Sequence, residues 1–380
     1  MKIAITGAGL LTTLGVGACP TFESMLRGHV SAGPDIPDFD PTVFLGDKGI
    51  RHFDRTALLL GSAAKLAAQQ SGIGEAGYRA EEMGVVVGST HGSIQAIAEF
   101  DQESVREGPN YVNPQDFANT VISQPASRIS VIFGATGLNT TIATGAVSAL
   151  DALAYGLTML RLGRVKVLLC GSGIGYSPEI ERGYAQAGKL IISQNGVGAF
   201  AAGRKGPKFG EGAAVFVLED AEKAIARQAT ILGCVSGVGS VFQNGASGMV
   251  RAVEEALSCA DLQSENISCV VSFASGSPQG DLEEGEALHQ ALPQVPITAP
   301  KSQTRDCLEA SGAIHMAIAL LSIQAGRVTP IPHLIDVDPA FQQLDLVTGQ
   351  ARQLPVEHVL VTARDESGHN AAVIISAPSS

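Results

Sequence analysis

A chain of 380 residues with 45% hydrophobic content can fill one large layered core or two fused repeats, so nothing about its size calls for disulfide staples. Its formal net charge of −12 excludes a nucleic-acid binder, because neutralising phosphates takes clustered Lys and Arg. No apolar run reaches the roughly 18 residues of a membrane span, and the opening MKIAITGAGLL lacks the basic region and cleavage site of a signal peptide, so a soluble, cytoplasmic protein is expected with no membrane partner.

In chain order, strands are predicted at Lys2–Thr6, Gly84–Val87, Val165–Cys170, Ala213–Leu218 and Cys269–Phe273. Between them lie Ala- and Leu-rich stretches of helical period, which makes the chain α/β. A helix is expected from about Ala118 to Phe133 and another at Met249–Leu257. The 44 glycines, 5% aromatic content and absence of tryptophan suit helices packed closely on sheets.

One internal repeat stands out. Val147–Val165 (VSALDALAYGLTMLRLGRV) matches Ala310–Val328 (ASGAIHMAIALLSIQAGRV) without a gap at an offset of 163 residues, with Ser148 answering Ser311 and Leu157 answering Leu320. Each copy begins with small residues, carries apolar residues at three- and four-residue spacing, and ends at a glycine that can stop a helix. Two similar βα halves packed together are predicted, residues 1–229 and 230–380.

Around the first copy, GLNTTIATGAVSA (Gly137–Ala149) resembles the active-site segment G-P-x-x-x-I-x-T-A-C-x-S-G of the β-ketoacyl-acyl carrier protein synthases. Five further segments match that family in order: KIAITGAGLLTTLG, GEGAAVFVLEDAEKAIARQA (Gly210–Ala229), SPQGDLEE (Ser277–Glu284), KSQTRDCLEASG (Lys301–Gly312) and HNAAVII (His369–Ile375). The resemblance implies the thiolase fold, duplicated βαβαβαββ halves in five layers (αβαβα). It also implies a chemistry in which a cysteine thiolate at a helix N-terminus is acylated while two histidines and an oxyanion hole assist condensation.

Carried over position by position, the catalytic set is missing. Ala146 stands at the cysteine and cannot form a thioester. Phe273, eight residues before Asp281, stands at the first histidine, and Asp306, five residues after Lys301, at the second. Phenylalanine offers no proton, and a carboxylate repels a developing enolate. Lys301, Asp281 and Glu284 are retained, whereas the gating loop G-F-G-G-T-N becomes DESGHN (Asp365–Asn370), with Arg364 and Glu366 where phenylalanines are expected. Val238–Ala246 is shorter than the family's substrate-covering stretch.

Other reactive residues read as structural. Cys170 lies on a buried strand, the thiol of Cys307 is held up by the neighbouring Asp306, and His91 and His369 are expected in turns. The six cysteines form no CxxC pair and the eight histidines no metal-ligand spacing, and the GAG and GSGIG runs lack dinucleotide-binding spacing, so neither metal nor bound cofactor is expected.

The resemblance therefore points to the chain-length factor, or ketosynthase β subunit, of type II polyketide or fatty-acid-like systems. Such a subunit is inactive alone and forms a heterodimer, or a dimer of heterodimers, with a Cys-His-His ketosynthase. The growing chain arrives on the phosphopantetheine of an acyl carrier protein, which is acidic and would dock mainly on the partner. Val121, Gln124, Pro125 and Ile129 are candidates for the acyl tunnel and interface. A stand-alone decarboxylase or acyltransferase of the same fold, and a non-enzymatic acyl-binding scaffold, are the alternatives.

Overall fold

The computed structural model describes residues 1–187 and 198–378. Ten strands carry the fold: β1 (Ile3–Thr12), β2 (Met83–Gly88), β3 (Asn139–Ile142), β4 (Val167–Ile174), β5 (Gly212–Asp220), β6 (Gly233–Phe242), β7 (Cys269–Val271), β8 (Ile297–Thr298), β9 (His358–Arg364) and β10 (His369–Ser376). Their order is 3-2-4-5-1 in the first half and, read from the opposite edge, 8-7-9-10-6 in the second. Directions repeat as well. The three outer strands of each half run parallel, and the next two are antiparallel. The halves join where β1 pairs antiparallel with β6, Ile3 opposite Val235 and Ile5 opposite Gly233.

Eight helices matter to the argument: α1 (Arg55–Ser71), α2 (Ile94–Glu107), α3 (Gln124–Phe133), α4 (Ser148–Arg161), α5 (Pro178–Gln186), α6 (Ala246–Ala260), α7 (Pro278–Ala291) and α8 (Ser311–Ala325). The repeated segments are α4 and α8, and they touch in the middle layer, where Gly312 lies against Ala149 and Leu150. Strand residues alternate between two cores, as a two-residue period requires. Val86, Leu168, Phe216 and Val361 point inward to α4 and α8. Val85, Val87, Leu169 and Val215 face α1 and α3, and Leu360 and Ile374 face α6 and α7. With both faces covered, the strands read as continuous apolar runs.

β1 is longer than predicted. Gly7 and Gly9 look like turn residues in sequence, yet they lie inside the strand, because a Cβ at either would collide with the Ala67 or Ala63 carbonyl of α1. Gly237 and Gly239 of β6 meet Ala256 and Ala252 of α6 in the same way, a second trace of the duplication. α3 begins at Gln124, not near Ala118, because Pro125 in its first turn favours starting a helix there; Ala118–Thr120 form a separate 3-10 turn. α6 is longer than Met249–Leu257 and follows β6 after the tight turn Gln243–Gly245. One helical stretch, Leu308–Ala325, is long and apolar enough to cross a membrane, contrary to the sequence count, but it is mostly buried as the central helix α8.

Candidate functional site

The turn before α4 sets the centre of the site. The Ser148 hydroxyl accepts from the Thr144 N–H at 2.9 Å, and Thr90 Oγ1 accepts from the Gly145 N–H at 2.9 Å, fixing the turn from both sides. Gly145 has φ +71°, a left-handed conformation that glycine adopts without strain. Ala146 follows at the mouth of the helix, and its N–H donates to Asp365 Oδ2 at 2.9 Å. A Cβ on Gly145 would run into that carboxylate. The N–H that could bind a substrate oxygen thus holds a side chain of the protein itself, whose carboxylate lies near the positive end of α4.

The two other degenerate positions come together opposite. Lys301 Nζ donates to Asp306 Oδ2 at 3.0 Å and lies 3.1 Å from the centre of the Phe273 ring. Asp306 also accepts from the Leu308 N–H at 2.8 Å and the Ser311 hydroxyl at 3.1 Å. The carboxylate is therefore held by three donors, and its charge is balanced by Lys301. Burial pushes the Lys301 ammonium below its usual range, with Asp306 opposing the shift. Glu284 accepts from the Phe273 N–H at 2.9 Å and the Thr362 hydroxyl at 2.5 Å, fastening β7 to β9. Asp281 accepts from the N–H groups of Phe200 at 2.9 Å and Ser275 at 3.0 Å. Burial nevertheless raises its pKa to about 6.

These residues line one cavity of about 620 Å³. Ala146, Phe273, Lys301, Asp306, Asp281, Glu284, Arg364 and Glu366 all reach it, so the sequence positions assigned to the site are brought together. Arg364 pairs with Glu283 on α7, which anchors the start of the altered loop, and Ser367 donates to Asp365 from both its N–H, at 2.9 Å, and its hydroxyl, at 2.6 Å. The tunnel candidates lie elsewhere. None of Val121, Gln124, Pro125 and Ile129 lines the cavity; Val121 is on the surface, Gln124 and Pro125 are buried, and Ile129 packs with Leu59 and Leu60 of α1.

Sequence reasoning missed the role of His91. It sits in a turn, as expected, but it also faces the cavity with Nδ1 2.7 Å from Glu309 Oε2. Glu309 is fully buried and accepts from the Thr90 and His91 N–H groups at 3.0 and 2.9 Å. Glu309 stands at the second glycine of the family's K-S-x-x-G-H-x-x-G-A-A-G motif, a substitution that could have flagged the pair. His369, expected in a turn, instead opens β10, with Nε2 2.9 Å from Ser240 Oγ and 3.4 Å from Asp151. Cys307 is buried, and burial first, then Asp306, drives its thiol far above the usual range; burial alone pushes Cys170 up to about 12. Neither can supply a thiolate at neutral pH.

Behind Phe273 lies His315 of α8, fully buried, with its ring 5.9 Å from the phenylalanine ring and neither ring nitrogen hydrogen-bonded among the described residues. Burial, with Lys301 adding to it, holds its pKa well below the ordinary value of 6.5. The unfolded chain therefore takes up this proton first. Stability is full above pH 6.5 and falls as pH drops below it, by up to about 1.4 kcal/mol per unit until the folded pKa is reached. His91 works oppositely: its pKa is raised, burial being outweighed by Glu309, so its contribution is present below 6.5 and lost as pH rises through the raised value. In chemical denaturation, His315→Leu is expected to lose the acid-side slope, read as the difference from wild type between pH 5 and 7; parallel curves for the two proteins would refute it.

Comparison with known proteins settles the family. The model of the β-ketoacyl synthase N-terminal domain matches residues 26–224, and that of the C-terminal domain matches residues 229–335. The chain belongs to the β-ketoacyl synthase family. It is 25% identical to a 3-oxoacyl-[acyl-carrier-protein] synthase 2 of Synechocystis sp. over 97% of this chain and 96% of that protein. It is 27% identical to a putative polyketide β-ketoacyl synthase 2 of Streptomyces halstedii over 98% and 97%. Among solved structures, the ishigamide ketosynthase/chain length factor superposes with TM-score 0.93 at 23% identity, covering 100% of this chain and 99% of the other. A β-ketoacyl synthase from Burkholderia phymatum STM815 gives 0.92 at 24% with full coverage of both. These likenesses, with the repeated strand order, establish the thiolase fold in this member of the β-ketoacyl synthase family.

Proposed function

We propose that this chain is a non-condensing subunit, a chain-length factor that pairs with an active Cys-His-His ketosynthase in a type II polyketide or fatty-acid-like pathway of the cytoplasm. The observation that carries this reading is the Ala146 N–H held by Asp365, at the one place where the family's nucleophile and oxyanion donor belong. A thiol lost alone is a small change. Here the loop has moved a carboxylate into the space, glycine at 145 accommodates it, and Lys301 is committed to Asp306.

The surface supports a partner. β3 is the outer strand of its sheet, and α3, with Val131 exposed on it, packs beside it; Phe117, Val121 and Ile122 are exposed on the stretch that leads into α3. Asn139 of β3 donates to the Ala126 carbonyl and the Ser130 hydroxyl of α3, which fastens the helix to the strand edge. An open edge flanked by apolar groups favours pairing with another chain, and a homologous ketosynthase offers the same edge. The acyl carrier protein would bring the chain on its own phosphopantetheine, docking mainly on the partner because this subunit is acidic.

Co-expression with a Cys-containing ketosynthase tests the reading. A stable heterodimer is expected, with Val131→Glu or Val121→Arg weakening it at least tenfold, and with product length set by which factor is supplied. Ketoacyl product made by this chain alone, or failure to associate with any such ketosynthase of its own genome, would refute the proposal.

A further inference from the structure

The cavity keeps one acid–base pair that the lost chemistry does not explain. His91 commits Nδ1–H to Glu309, so Nε2 is the ring nitrogen left to meet a ligand in the cavity. Glu309 has no exposed surface and accepts from three donors, the N–H groups of Thr90 and His91 and the imidazole itself. A carboxylate that fixes the imidazole tautomer and ring plane, with the far nitrogen facing a partly apolar cavity, is the arrangement that makes histidine a base. Tyr184 and Phe209 meet edge to face next to it, their ring centres 5.0 Å apart, and give the site an apolar wall.

We propose that His91, positioned by Glu309, moves a proton at the α-carbon of an uncharged β-ketoacyl chain held in this cavity. The step balances simply: the C–H between two carbonyls gives its proton to neutral Nε2, the electron pair delocalises over both oxygens, and the imidazolium returns a proton to carbon. Nothing is oxidised or reduced and no co-reactant is needed. Thioester hydrolysis by a water on the same Nε2 is the less favoured chemistry, because the Ala146 N–H that would hold a tetrahedral oxyanion is taken by Asp365. An enolate between two carbonyls spreads its charge over both oxygens and so depends less on a single such donor. Among the described residues, carboxylate side chains around the cavity outnumber its cations, Lys301 and Arg364, which favours an uncharged chain over a carboxylate-bearing one.

The substrate class rests on the function proposed above, whereas the acid–base pair does not. The test uses the whole chain without a partner and the N-acetylcysteamine thioester of acetoacetate in D2O, with loss of the α-proton signal followed by NMR. The expected result is exchange about 10²-fold above buffer, rising with pH through the pKa of His91, which Glu309 raises and which also faces Asp365, Glu366 and Tyr184. His91→Gln should return the rate to buffer. Glu309→Gln, which keeps the shape, should leave part of the rate and shift the inflection to lower pH, as a merely structural glutamate would not. Thermal melts check that both variants fold. Exchange at the buffer rate in wild type, or equal rates in wild type and His91→Gln, overturns the proposal. Co-expression of His91→Gln with a ketosynthase keeps the two readings apart: retained assembly and product length with lost exchange assigns the pair its own role.

Discussion

Ala146→Cys is expected to yield a thiol that remains poorly reactive and is not acylated. A cysteine at a helix N-terminus ordinarily has a lowered pKa, because free N–H groups and the helix dipole favour the thiolate. Here the Ala146 N–H is occupied by Asp365 Oδ2 at 2.9 Å, and a carboxylate beside the thiol favours the protonated form. Each unit by which the pKa rises lowers the thiolate fraction at pH 7 about tenfold. Adding Asp365→Gly, the residue the family's gating loop carries there, should therefore speed alkylation by iodoacetamide at least tenfold over Ala146→Cys alone. Equal rates in the two variants would show that Asp365 does not control the position. Neither should condense malonyl units, since Phe273 and Asp306 supply no imidazole.

The second large effect lies in the pair Lys301–Asp306. Their side chains are 2% and 9% exposed, so each charge is tolerated only through the other. Breaking a buried pair from one side costs about 3–5 kcal/mol, because the remaining charge is uncompensated. Asp306→Leu should sit at the upper end, leaving Lys301 the face of Phe273 and the charge of Glu284 but no ion-pair partner in contact among the described residues. Lys301→Met should cost less, since Asp306 keeps the Leu308 N–H and the Ser311 hydroxyl. The double variant should be more stable than the sum of the single losses predicts, measured by urea denaturation in a double-mutant cycle. Additive losses would mean the two charges do not support each other. Asp306→His, which restores the family residue, should destabilise the chain for the same reason.

How much of this was legible in the sequence depends on the kind of signal. The duplication was, because the α4 and α8 segments share a pattern of small and apolar residues dictated by burial, of one broad face in α4 and of nearly the whole helix in α8, and such a pattern survives in the linear chain. The assignment of Ala146, Phe273 and Asp306 to the family's Cys-His-His positions rests on the sequence alone, through their spacing from Ile142, Asp281 and Lys301. The extent of β1 was not legible. Gly7 and Gly9 signal a turn unless one knows that α1 presses its backbone against them. Ile129 fits a tunnel on one face of a predicted helix, and only packing against α1 shows that face to be core.

The sequence by itself determined the α/β class and, through the family resemblance, set Ala146, Phe273 and Asp306 at the positions of the catalytic groups, because these depend on residue type and local spacing. Only the tertiary structure decided what surrounds them. Asp365 and Ala146 are 219 residues apart, and His91 and Glu309 are separated by 218, so neither contact leaves a local pattern. Asp306, read in sequence as a repelling charge, proves to be neutralised by Lys301, since the effect of a charge is set by whichever groups the fold places around it.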